Sequence, residues 1–331
     1  MSLNIIRPGL LTTIQDTGRY GYQKIGVIPS GAMDVYSLRL ANILVGNDEN
    51  EGALEITLMG PTIEFTSDTL IAITGGDFGP VIDGQKVPMH RPVAVKAGAI
   101  LRFGPVSSAA GLSGCCRRVR RARRHGQQEH LSAGSVRRVG RAGPAPRRFA
   151  EYEGAQRVRP ADDVQPADPR RSFLYARPLE HQQGSYDAGA LRKPIKVMAG
   201  LQYDEFTEKA KYDFFGTDFL ITTQSDRMGY RLNGPKLEMK RPLEMISEVA
   251  GLGTVQVPPN GMPIILMADH QTTAGYPVIG QVALVDVARV AQLKPGDRMY
   301  FRLISNEEGE RLFIDMERCM ENIKIAVAGM L

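Results

Sequence analysis

The stretch GTVQVPPNGMPIILMADHQTTAGYP, residues 253–277, sets a β-branched run, Thr254-Val255-Gln256-Val257, before a Pro258-Pro259-Asn260-Gly261 turn and a second apolar run, Pro263 to Ala268. Two extended segments joined by so short a turn pair antiparallel, and Asn-Gly supplies the positive backbone φ that a hairpin turn needs. The second strand delivers Asp269-His270-Gln271-Thr272-Thr273 into Gly275-Tyr276-Pro277. Small polar residues held at a sheet end offer hydrogen bonds to a ligand. They suit equally well a capped loop in which Asp269 and the threonines satisfy nearby amides.

Working outward, Pro194 to Ala199 and Phe219 to Gln224 read as strands, with a helical pattern between them over Asp204 to Phe215. The second of these strands runs into Ser225-Asp226-Arg227-Met228-Gly229-Tyr230-Arg231, where two arginines flank a glycine. That pattern can grip a carboxylate or phosphate, or Asp226 can simply cap the turn. Beyond the opening stretch come a strand from Gly280, a short helix to Leu293, a Lys294-Pro295-Gly296-Asp297-Arg298 turn and a strand over Met299 to Ile304. The tail, Asn306 to Leu331, has the spacing of an amphipathic helix.

The first hundred residues have the same style. Short strands are expected over Ala53–Thr57, Thr62–Thr66, Thr69–Thr74 and Val93–Lys96, punctuated by Gly-Pro, Gly-Gly-Asp and Asp-Gly turns. This density argues for a β-barrel or sandwich. Gln15-Asp16-Thr17-Gly18-Arg19 forms a tight loop whose carboxylate and guanidinium can clasp each other or an anion. Pro29-Ser30-Gly31-Ala32-Met33-Asp34 precedes a helix from Tyr36 that stops at Gly46-Asn47. Ser30 or Asp34 would cap that helix, and the amides beside them can hold an anionic group. Neither GxGxxG nor GxxxxGK[ST] occurs, so no autonomous nucleotide loop of those kinds is expected.

The 331 residues suffice for two domains. No apolar run reaches the roughly 18 residues of a membrane span, and the start lacks a basic and apolar leader, so a cytoplasmic protein is expected. Three cysteines, two of them adjacent at Cys115-Cys116, give neither a disulfide framework nor metal spacing, and His90 and His270 stand far apart. The net charge of +5 is unevenly placed: residues 111–192 hold 17 arginines, no lysine and 8 acidic residues. Taken at face value, this is a disordered basic arm able to contact phosphates. A one-base shift of frame reads it differently. If His125 to Leu131 are encoded CAT GGG CAG CAA GAG CAC CTA and followed by T, the shifted frame gives Met-Gly-Ser-Lys-Ser-Thr-Tyr. Neighbouring stretches become strand-like and glycine-punctuated in the same frame. Nucleic-acid binding is therefore discounted, and the chain divides as 1–108, a frame-shifted segment 109–192, 193–305 and a tail 306–331. A chain with this segment is expected to lose the strands that would otherwise lie there.

The runs RPGLLTTIQDTGRYGYQ, PSGAMD, ANILVGN, LEITLMGP, QSDRMGYRLNGP and VQVPPNGMPIILMADHQTTAGYP, in that order, resemble the biotin-dependent carboxyltransferase family, also called allophanate hydrolase subunit 2. Within it, the likeness is to the branch of 5-oxoprolinase subunits and KipI antagonists. The shifted reading of 109–192 is what members carry there. The resemblance implies a mainly β fold with short helices, built as two cyclophilin-like β-barrel domains. It implies one component of a larger oxoprolinase, working with an A subunit, and with a KipI-like B subunit, on a small amide or lactam. Together they would open 5-oxoproline to glutamate at the expense of ATP. ATP need not be bound by this chain, and no metal is expected. Rival readings are a binding protein that antagonises a KipI-type kinase inhibitor and a carboxyltransferase module acting on carboxybiotin; a Met-Lys-Met carrier motif is absent from the sequence. Matched to the motifs, the implied substrate contacts are Gln15, Arg19, Ser30, Asp34, Ser225, Asp226, Arg227, Gln256, Gln271, Thr272 and Tyr276. Arginines would hold the substrate carboxylate, and Asp16 and Asp269 are the candidates for general base.

Overall fold

A computed structural model describes residues 3–104, 108–116, 193–243 and 245–329, with 108–116 described as backbone. Residues 117–192, most of the arginine-rich segment, lie outside the described residues. The chain is mainly β with a few helices and divides into two compact units, each assembled from separated pieces. The described part of one holds residues 3–17, 36–104, 108–116 and 321–329; that of the other holds 18–35, 193–243 and 245–320.

The first unit is two five-stranded sheets around one core. One runs β1 (Leu3–Arg7), β4 (Thr62–Phe65), β9 (Ile100–Arg102), β6 (Val81–Ile82), β7 (Gln85–Lys86). The other runs β2 (Leu11–Gln15), β3 (Ala53–Thr57), β10 (Ser108–Cys116), β5 (Thr69–Asp77), β8 (Pro92–Val95). Ile56, Ile63, Phe65, Ile71, Ile73 and Leu101 come from both sheets and meet in the interior. The helix α1 (Val35–Leu44) is tied to β5 where Thr74 Oγ1 donates to the Ser37 carbonyl at 2.7 Å. As the glycine stop predicts, Gly46 takes a φ of 70° just beyond it.

The strand β10 departs from expectation. Residues 108–116 pair on both sides, with Ile56 opposite Leu112 in β3 and Ile73 opposite Gly114 in β5. Alternating apolar side chains are a sign of a half-buried strand but not a condition for one. Backbone pairing needs only N–H and C=O groups, and Ser-Ala-Ala-Gly-Leu-Ser-Gly offers them without steric demand.

The second unit is built on one eight-stranded sheet, ordered β19 (Arg298–Met299), β12 (Phe219–Ile221), β13 (Gly229–Asn233), β16 (Ile264–Leu266), β15 (Thr254–Gln256), β18 (Val278–Val282), β11 (Ile195–Ala199), β20 (Phe301–Ile304). The two outermost strands are consecutive in the chain, so one stretch, residues 298–304, runs along both edges and nearly closes the sheet into a barrel. Ile195 N–H donates to the Tyr300 carbonyl between them at 2.8 Å. The opening hairpin is β15 and β16, antiparallel with Val255 opposite Ile265. In its turn Gly261 and not Asn260 has positive φ, at 76°, and Pro259 at the first central position is held at negative φ by its ring; Gly261 N–H closes the turn on the Pro258 carbonyl at 2.9 Å.

Inside the barrel Phe214, Phe219 and Phe301 pack together, with Phe214 stacked on Phe301 at 4.5 Å between centroids. Phe214 comes from α2 (Glu208–Gly216), which starts later than its apolar spacing predicts because Thr207 caps it, accepting from Ala210 N–H at 3.1 Å. A 3-10 turn, Tyr203–Glu205, precedes it. The helices α3 (Leu284–Ala291) and α4 (Asn306–Ala328) follow β18 and β20. No helix among the described residues is long and apolar enough to cross a membrane.

Two buried ionisable groups yield stability predictions. In α3, Asp286 is 2% exposed and accepts from Lys196 N–H at 2.7 Å, Lys196 Nζ at 3.2 Å and Arg289 Nη1 at 3.2 Å. Asp286→Ala takes this acceptor from the Lys196 N–H and Nζ, while Arg289 keeps the Pro194 and Lys193 carbonyls, and a loss of about 1–3 kcal/mol is expected in denaturant unfolding; a loss under about 1 kcal/mol would show the cluster to be dispensable. In the first unit His90, at a φ of 57°, is buried, and desolvation lowers its pKa from 6.5 to about 4 against the opposing pull of Asp77. The unfolded chain therefore takes up a proton below pH 6.5 that the native chain refuses, and stability falls as pH drops from 6.5 towards 4, by about 3 kcal/mol in all. His90→Asn, which tolerates the left-handed backbone, should flatten this slope; an unchanged pH profile would assign the loss to other groups.

Candidate functional site

The opening hairpin positions a site within the second unit. Past β16, Met267 N–H donates to the Met228 carbonyl at 3.1 Å and Asp269 N–H to the Arg227 carbonyl at 2.8 Å. This short ladder sets the side chains of Arg227 and Asp269 face to face. Arg227 Nε donates to Asp269 Oδ2 at 2.8 Å and Nη2 to Oδ1 at 3.1 Å, the two-pronged geometry that a guanidinium offers and an ammonium does not. Ser30 Oγ donates to the same Oδ1, and Arg227 Nη2 also donates to the Gly31 carbonyl. Ser30 and Gly31 are both left-handed, at φ 55° and 92°. For serine this costs about 1 kcal/mol, offset here by bonds to a carboxylate. The loop carrying them is closed at its base by Arg19 N–H on the Pro29 carbonyl at 2.8 Å.

Beside this clasp lies a cavity of about 340 Å³, walled by Ser30, Ala250, Leu252, Ala268, His270 and Thr272 among others. One side of it adjoins a two-stranded ribbon, β14 (Glu248–Val249) and β17 (Thr273–Ala274), held by Ala250 N–H on the Thr272 carbonyl at 3.1 Å. The volume and the mostly apolar walls with a few polar groups suit a small molecule.

Residues 25–303 match the family model described as carboxyltransferase domain, subdomain A and B. The chain belongs to this family. It is 33% identical to the 5-oxoprolinase C subunit of Haemophilus influenzae, over 94% of each chain, and 31% identical to the 5-oxoprolinase C subunit of Escherichia coli, over 97% of each. Its structure resembles that of K. lactis urea amidolyase with a TM-score of 0.77 and 28% identity, covering 97% of this chain and 20% of that one. The chain thus spans about a fifth of the solved enzyme that it resembles.

The family's motif residues separate on inspection of the fold. Ser30 and Thr272 line the cavity, and Asp269 and Arg227 stand directly behind Ser30. Both Asp269 oxygens accept hydrogen bonds, so this carboxylate acts first as the anchor of the Ser30 and Arg227 loops. Other candidates are occupied elsewhere. Ser225 Oγ accepts from Arg231 N–H at 3.1 Å, and Asp226 Oδ1 accepts from the Met228 and Gly229 amides at 2.8 and 3.2 Å, so both shape the loop that presents Arg227. Asp34 is buried and accepts from Gln292 Nε2 at 2.8 Å. Gln256 is buried on β15, and its Oε1 meets no donor among the described residues. Gln271 and Tyr276 are exposed and not among the cavity walls, and Arg19 is buried in the loop base. Gln15 and Asp16 belong to the first unit, where Gln15 Nε2 donates to Thr13 Oγ1 at 3.1 Å and Asp16 is buried.

The residue that sequence reasoning passed over is His270. It is 4% exposed, lines the cavity, and its Nδ1 lies 2.7 Å from the Met267 carbonyl. Weighed only as a metal ligand, it had no partner at a useful spacing. Its place one residue after the anchored Asp269 was the available signal.

The clasp is testable by a double-mutant cycle. Arg227→Lys should cost about 1–3 kcal/mol of stability, and Arg227→Lys with Asp269→Asn should show coupling of at least about 1 kcal/mol. Additive effects would mean that the two side chains do not act together.

Proposed function

We propose that this chain is a non-autonomous component of an ATP-dependent 5-oxoprolinase, opening 5-oxoproline to L-glutamate together with an A subunit, and with a KipI-like B subunit. The observation that carries this reading is reciprocal length. The chain and two proteins named as 5-oxoprolinase C subunits match over 94–97% of both partners, whereas the urea amidolyase likeness occupies 20% of a larger enzyme. A protein named for one lettered part of an enzyme works among the other parts.

The chemistry is consistent with division of labour. An amide carbonyl is a poor electrophile, and phosphorylating its oxygen creates a leaving group for attack by water. The sequence holds no phosphate loop of the usual kinds, so the nucleotide is assigned to the assembled complex. This chain's contribution is a small, largely apolar compartment whose wall is fixed by the Ser30–Asp269–Arg227 clasp. Purified with its two partner proteins, it should support ATP-dependent release of glutamate from 5-oxoproline, and omission of this chain should abolish it. Ser30→Ala, which loosens the cavity wall without emptying it, should reduce that rate about tenfold or more. Firm binding to the KipI-like partner without any glutamate would instead favour a regulatory role.

A further inference from the structure

His270 supplies something that no other described wall residue of the cavity does: an aromatic nitrogen restricted to accepting. Its Nδ1 sits 2.7 Å from the Met267 carbonyl, which can only accept, so Nδ1 carries the proton. In the neutral ring Nε2 is then a lone pair with no proton of its own. Nε2 makes no hydrogen bond within the described residues, although His270 lines the cavity and is 4% exposed. Around it Pro29, Val249, Ala250, Leu252 and Ala268 bring apolar side chains, and the Ser30 hydroxyl proton is committed to Asp269.

We infer that His270 Nε2 orients a small ligand by accepting its amide N–H inside this cavity, and that the ligand is a lactam. The identity of that lactam as 5-oxoproline rests on the function proposed above; the preference for an N–H donor does not. A lactam ring has one N–H donor, one carbonyl and an apolar flank, matching the His270 acceptor, the Tyr20, Gln23 and Thr272 side chains elsewhere in the wall, and its apolar remainder. A compartment built to pair with an N–H rejects an isostere lacking it, because the histidine lone pair then faces a second lone pair in a space with little water. His270 is in this sense a specificity-determining residue, held in one tautomer by the Met267 carbonyl.

The test compares 2-pyrrolidinone with γ-butyrolactone, which has the same ring with oxygen in place of N–H, and both with 5-oxoproline. Binding to the full chain is followed by ligand-observed NMR, and ¹⁵N spectra of the imidazole report the tautomer. Expected are an Nδ1-protonated ring, and binding of the two lactams at least tenfold tighter than that of the lactone. His270→Phe should erase the difference, and His270→Gln, which restores an acceptor, should recover part of it. Equal binding of lactam and lactone by the wild-type chain, an Nε2-protonated ring, or no lactam binding at all would overturn the inference, and these readings need no variant to fold. The two proposals fail separately. If the complex makes glutamate but lactam and lactone bind alike, the role of His270 falls and the oxoprolinase reading stands. If lactam preference appears while the complex makes no glutamate, the reverse holds.

Discussion

A curved sheet has two edges, and each edge is a row of unpaired N–H and C=O groups that must be paired, covered or exposed to a stray strand. In the second unit the segment 298–304 meets both demands. Residues Arg298–Met299 pair with β12 at one edge and Phe301–Ile304 with β11 at the other, with Tyr300 between them. Closure by a single piece of chain brings the edge strands together and encloses one core, in which Phe214, Phe219 and Phe301 meet. It also sets the curvature. Where strands pass closest, side chains disappear: a Cβ on Gly280 of β18 would lie 2.4 Å from Val197 Cγ1 of β11.

The candidate site inherits its order from that barrel. The hairpin β15–β16 is part of the closed sheet, so the backbone leaving β16 at Met267 is as fixed as the strand itself. Asp269 and His270 follow within three residues, one reaching sideways to Arg227 and Ser30, the other back to the Met267 carbonyl. Ser30 is held in a left-handed conformation by a carboxylate that is itself gripped by a guanidinium, and the cavity wall is fixed by the same bonds.

Much of this was legible in residue order. Asn-Gly between two apolar runs marked the hairpin, glycines and prolines marked the remaining turns, and the spacing of apolar residues marked α1 and the final helix. The resemblance carried by six ordered motifs marked the family. Side-chain partners were not legible, because they depend on residues hundreds of positions apart. Ser30 and Asp269 are 239 residues distant in the chain. Nothing local distinguishes Asp226, which serves its own loop, from Asp269, which anchors another. The strand β10 was missed for the opposite reason: its side chains carry no alternating pattern, and pairing by neighbours on both sides makes a pattern unnecessary.

The sequence by itself determined which segments extend, where they turn and to which family the chain belongs, since these follow from backbone preferences and motif order within short windows. Only the tertiary structure decided that residues 18–35 join the second unit, that 298–304 nearly closes a barrel, and that His270 rather than a more obvious acid lines the cavity. Those outcomes depend on which hydrogen-bond donors and acceptors meet when the sheet closes, and strand closure is a property of the whole chain.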